Sequence, residues 1–165
     1  MKQIMTAALL GSLIATQSYA LSCAEPDIAA DFQRLDASER MYFLALGSIT
    51  YASEFPNIEE EVQRRQSNPF GPPLEGEAIF SGMKLGANGF SEAQEIPVTV
   101  QMRCTAHWCG TLPEAGSEIL AYIEEWDGEN LLSFSACPGP HILQPAEKDL
   151  IQLRACLSKD SCVAR

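Results

Sequence analysis

Basic side chains and histidines are scarce in this chain, and that scarcity sets the first limits on function. Eleven Lys and Arg stand against 22 Asp and Glu, with two histidines in 165 residues. Such a surface repels phosphate backbones and anionic lipid heads, which argues against nucleic acid as a partner. Beyond the first twenty residues, no apolar run approaches the ~20 residues that a membrane-spanning helix needs. No Ser-His-Asp motif, phosphate-binding loop or HExxH helix is present, so the familiar hydrolytic and phosphate-handling signatures are missing. A second Cys-x-x-Cys or a His pair is lacking as well. Cys104-x4-Cys109, with His107 between, is therefore short of the four ligands of a closed zinc site. Neither an intrinsic metal nor a cofactor is expected. No internal repeat is visible.

The opening residues differ from the rest. Lys2, an apolar run from Ile4 to Ala15 and a small-residue exit at Ser18-Tyr19-Ala20 make residues 1–20 a secretory signal peptide. Gln17 and Ser18 cut the apolar run short of a membrane span. Cleavage after Ala20 leaves Leu21 and Ser22 ahead of Cys23. Cleavage after Ser22 exposes Cys23 itself, and lipid attachment at Cys23 is a third outcome. Residues 21–165 are then one domain by size. Losing Lys2 leaves ten Lys and Arg against 22 acidic residues, a balance of −12. All six cysteines (Cys23, Cys104, Cys109, Cys137, Cys156 and Cys162) lie beyond the signal. An even count in an exported chain, periplasmic or extracellular, reads as three disulfides.

Periodicity places the elements. Val98, Val100, Met102 and Cys104 alternate with polar residues, the mark of a strand with one buried face. Ile119 to Trp126 is apolar on both faces through Ile123, as in a strand of a small closed barrel. Asp127-Gly128 supplies a tight hairpin turn, after which Leu132, Phe134 and Ala136 share one face. Upstream, Asp27 to Leu35 is a short helix, and Met41 to Tyr51 is a long strand with a bulge or bend at Gly47. Ala52 to Gly76 is a surface excursion with two helical turns over Ile58 to Gln66, its charge run a solvated face. Glu77 to Leu85 is the next strand, with a second bulge at Gly82. Pro145 to Leu157 is the last helix, with Pro145 at its first position. The expected class is mainly β: a disulfide-stabilised, five-stranded Greek-key barrel of the oligonucleotide/oligosaccharide-binding (OB) type with short flanking helices.

The chain resembles the netrin-like family that includes the tissue inhibitors of metalloproteinases. The resemblance rests on Cys23 near the start of the mature chain, Cys109-Gly110 after a strand, LLSFSAC closing a hairpin at Cys137, and LIQLRAC ending at Cys156. It implies a protein-binding module outside the cytoplasm, with a metalloproteinase as the partner it points to. In that family the N-terminal cysteine's amine and carbonyl clamp the catalytic zinc of the protease. Here Cys23 is the matching position, with Ala24 entering the specificity pocket, and Cys109 and Gly110 complete the candidate binding residues. The family's inhibitors begin Cys-x-Cys, whereas this chain reads Cys23-Ala24-Glu25.

For the cysteines, sequence proximity ties Cys104 to Cys109 and Cys156 to Cys162, which leaves Cys23 for Cys137, a long-range bond with a relative in that family. A pairing closer to the family's pattern joins Cys23 to Cys109 and Cys104 to Cys137. Disulfide sulfurs are not nucleophiles, so His107-Trp108-Cys109 reads as a tied turn covered by Trp108 rather than a thiol–imidazole site. His141, in Cys137-Pro138-Gly139-Pro140-His141, reads as an exposed loop residue. Glu124 and Glu125 fall on opposite faces of a strand and cannot share one site. A periplasmic enzyme with an unrecognised carboxylate site and an envelope-associated structural protein are the alternatives to a binding module.

Overall fold

Residues 41–51 are apolar at even and odd positions alike, and the strand they form buries Leu44, Ala45 and Leu46 in succession. The structure is a computed structural model that describes residues 23–164 apart from 25, 56, 69–70, 87 and 159–161. The predicted signal peptide and its cleavage points lie outside the described residues. The element order is α1 (Ile28–Asp36), β1 (Met41–Tyr51), α2 (Ile58–Ser67), β2 (Leu74–Gly86), β3 (Gly89–Met102), β4 (Cys104–Thr105), β5 (Trp108–Cys109), β6 (Glu118–Trp126), β7 (Glu129–Phe134), β8 (Ile142–Leu143) and α3 (Glu147–Leu157).

The chain is mainly β: among the described residues, five strands close into a ring and three short helices accompany it. Strands pair in the order β1-β2-β3-β7-β6, and β6 returns to β1. Every contact in the ring is antiparallel except β3–β7, where Thr99–Met102 runs parallel to Leu131–Phe134. The β6–β7 turn sits at Asp127-Gly128, both with positive φ, as a two-residue hairpin of this type requires. Among the described residues no helix is long and apolar enough to cross a membrane.

The two faces of β6 meet different partners. Ile119, Ala121 and Ile123 point into the ring, where they pack with Ile49, Phe80 and Val100. Leu120 and Tyr122 point outward, into a second apolar layer completed by Leu35 of α1 and Leu153 of α3. The unbroken apolar run at 119–123 therefore has a specific cause: helices cover the outer face of a strand whose inner face is already buried.

Local chemistry sets those helices in place. Asp27 caps α1, its carboxylate accepting from the Ala29 and Ala30 N–H groups at 2.9 and 3.0 Å. Pro145 stands one residue ahead of the α3 cap at Ala146, not at the first helical position. There Asp149 Oδ2 accepts from the Ala146 N–H at 2.8 Å. The Gln33 amide donates to the Cys162 carbonyl at 2.8 Å, tying α1 to the tail that follows α3.

Several boundaries and burials depart from the sequence reading. β2 begins at Leu74 rather than Glu77, and β3 at Gly89 rather than Val98. The added half of β3, from Ser91 to Glu95, is exposed at every position, so it carries no two-residue hydrophobic period. Its pairing with β2 alone makes it a strand. Gly47 and Gly82 are not bulges but register partners; the irregularity lies between Met83 and Leu85 on the β3 side. The charge run of α2 is not uniformly solvated, since Glu61 and Arg65 are 4% and 3% exposed and pair at 2.5 Å. Arg65 also donates to the Gly71 carbonyl at 3.0 Å and to that of Pro72, which holds these two residues against the helix.

Candidate binding edge

The six cysteines form three bonds: Cys23–Cys137, Cys104–Cys109 and Cys156–Cys162, spanning 114, 5 and 6 residues. The first of them gathers the candidate residues at one edge of the ring. Cys23 is bonded to Cys137 just past the end of β7, and Ala24 beside it is exposed. Cys109 closes the small β4–β5 hairpin, where Cys104 is its register partner. Gly110 then packs directly on the backbone after β7. A Cβ there would sit 2.4 Å from the Phe134 oxygen and 2.9 Å from the Ser135 nitrogen. Two backbone bonds hold this crossing: Arg103 N–H to Phe134 O at 2.7 Å, and Gly110 N–H to Arg103 O at 3.1 Å. Cys23 and Gly110 therefore both meet the same short segment, 134–137.

Between these segments lies a cleft of about 360 Å³ lined by Pro26, Thr111, Phe134, Pro138, His141 and Ile142, among others. Its walls are mostly apolar, with peptide groups, the Thr111 and Ser135 hydroxyls and the His141 ring for polar contacts. The rings of His107 and Trp108 lie against each other on the neighbouring hairpin, tilted by 34° with centroids 3.7 Å apart. With Cys109 in a disulfide, the hairpin presents this ring pair and no thiol.

His141 is not an exposed loop residue. Its Nδ1 accepts from the Tyr122 N–H of β6 at 3.2 Å, and its Nε2–H donates to the Ser133 carbonyl of β7 at 2.8 Å. The register explains why a side chain is needed. β6 and β7 pair at Trp126↔Glu129, Glu125↔Asn130 and Glu124↔Leu131, and their pairing ends there. Continued, the same ladder would set Tyr122 against Ser133; the imidazole stands between those two instead. Further along β6, Leu120 pairs with Ile142 and Ile119 with Leu143. One edge of β6 is thus passed from β7 to an imidazole and then to β8.

The environment keeps that imidazole neutral. Burial pushes its pKa down from 6.5 to about 4, although the bond to the Ser133 carbonyl and the Asp31 carboxylate pull the other way. With both ring nitrogens engaged, His141 is a structural link rather than a proton-transfer group. The carboxylates divide in the same spirit. Glu124 is 8% exposed and held by Arg40 at 2.8 Å and the Tyr42 hydroxyl at 3.3 Å, while Glu125 is exposed. What this edge offers is contact surface in a fixed shape.

Sequence reasoning missed His141, Thr111 and Pro138 as parts of the edge. The signal for His141 lay in Pro138-Gly139-Pro140, which makes a compact return after Cys137, and in the apolar Ile142-Leu143 that follows. Comparison with known proteins found no match among family models, curated proteins or solved structures.

Proposed function

We propose that this chain is an exported, disulfide-bonded binding module of the OB type that meets a protein partner at the edge built by Cys23–Ala24, Cys109–Thr111 and residues 134–143. The observation that carries the reading is the convergence of three covalently or tightly tied segments on one cleft. A surface fixed before binding loses little entropy on association. Three disulfides support a working place outside the reducing cytoplasm. The closed order β1-β2-β3-β7-β6 with its single parallel contact supports the OB reading. The partner implied by the netrin-like resemblance is an extracytoplasmic metalloproteinase, engaged from the Cys23 end.

The test is site-specific photocrosslinking in the producing cell, with a benzophenone side chain at position 24 or, as control, at position 93. Ala93 is also exposed but lies on the far half of β3. The reading expects one discrete protein adduct from position 24 and none from position 93. Equal adducts from both positions, or none from position 24, would count against it.

A further inference from the structure

We propose that residues 138–141 form a proton-operated flap: protonating His141 at Nδ1 abolishes the acceptor for the Tyr122 N–H, expels the imidazole from between β6 and β7, and opens the cleft beside Cys23–Cys137. The two hydrogen bonds set the logic. Neutral imidazole offers one acceptor and one donor, and the Tyr122 N–H and the Ser133 carbonyl need one of each. Imidazolium has two donors, so its Nδ1–H would point at the Tyr122 N–H.

The flap has built-in ends. Cys137 is bonded to Cys23 on one side, and on the other β8 pairs with β6, with the Gln144 N–H donating to Glu118 O at 2.9 Å. Gln144 turns the chain at a φ of 50°, in the left-handed region. Release of the imidazole therefore frees a short segment between two anchors without opening the ring between β1, β2 and β3.

Among the described residues, three elements bring groups to the imidazole. From α1 comes the Asp31 carboxylate, itself paired with Arg34 at 2.7 Å. β6 contributes the Tyr122 peptide; β7 contributes the Ser133 carbonyl and the Phe134 ring, whose centroid is 5.0 Å from that of the imidazole. Because the pKa in the closed state is lowered, the closed state gains from neutrality above pH 6.5 and loses that gain as the pH falls toward 4. The bearing on partner binding rests on the reading of this edge as a binding site. The movement itself does not, and the experiment reads movement alone.

Amide exchange at Tyr122, followed by NMR between pH 7 and pH 4 in the intact mature protein, tests the flap. Expressed as a protection factor, Tyr122 should lose about a hundredfold over that range, while the Ile49 amide in the ring core stays protected. His141→Gln keeps a donor and an acceptor but does not titrate there, so Tyr122 protection should become independent of pH. An acid-dependent loss that persists unchanged in His141→Gln would overturn the proposal. If the variant cannot bridge the strands at all, the ring nitrogens of the unmodified protein decide. An Nε2–H tautomer titrating well below 6.5 supports the flap, and ordinary titration near 6.5 overturns it.

Discussion

Gly47 of β1 lies directly opposite Gly82 of β2, and the ring of Phe80 rests against both. A Cβ on Gly47 would fall 2.2 Å from the Ser81 carbonyl oxygen and 2.6 Å from the Gly82 Cα. These are backbone atoms within a paired ladder and cannot step aside as a flexible side chain would. The glycine pair lets the two strands and the Phe80 ring come together inside the ring.

Gly47→Ala should accordingly destabilise the protein by about 3 kcal/mol, at the upper end for overpacking. Gly89→Ala is the comparison. Its φ is 101° but nothing lies within 4 Å of a new Cβ, so only backbone strain of about 1–2 kcal/mol is expected. Urea denaturation of both variants distinguishes steric from conformational cost. Equal effects would show that crowding at Gly47 is not what matters.

Arg65→Ala tests the buried pair in α2. Burial works against the charge on Glu61, but the hydrogen bonds from Arg64 and Arg65 outweigh it and hold the carboxyl below its ordinary range. Removing Arg65 also strips the Gly71 and Pro72 carbonyls of their donor. The expected loss is about 3 kcal/mol, with early proteolytic cutting between residues 68 and 73. Since the pKa of Glu61 is lowered on folding, the pair's contribution is present above pH 4.5 and fades as the pH falls through the lowered value. Wild-type stability at neutral pH in Arg65→Ala would contradict this account.

The disulfides should rank by the loops they close. Removing Cys23 and Cys137 together releases a separation of 114 residues, worth about 5 kcal/mol on the chain-entropy model. Removing Cys104 and Cys109, or Cys156 and Cys162, releases separations of 5 or 6, worth about 2 kcal/mol each on the same model. Paired Cys→Ser variants compared in denaturant melts check the order, and a larger loss from either local pair would reverse it.

What the sequence made legible followed from strong local periodicity. Met41–Tyr51 and the run around Ile119–Ile123 announce strands because their side chains are apolar and their ends are marked. Asp27 announces a helix start because a carboxylate there satisfies two free N–H groups. The first half of β3 did not, because Ser91 to Glu95 buries no side chain and its strand conformation comes from pairing with β2. The burial of Glu61 and Arg65 also depends on residues 71–72, which no i,i+4 rule contains.

The candidate site divides in the same way. Cysteine spacing points to the two small loops, but the meeting of Cys23, Gly110 and the 134–137 segment is a tertiary event. His141 is the clearest case. A loop histidine between prolines looks solvent-facing until the register shows β6 and β7 parting at Tyr122 and Ser133, where the gap takes an imidazole.

The central claim is an exported module whose shape is held by three disulfides, with Cys23 close to the start of the mature chain. The most direct measurement is the intact mass of the protein recovered from the extracytoplasmic fraction, alkylated under denaturing conditions without reductant. The account predicts a chain beginning at Leu21 or Cys23, lighter than the reduced form by the six hydrogens of three disulfides, and carrying no alkyl group. A chain that still begins at Met1, or one that takes up alkyl groups on its cysteines, would contradict it.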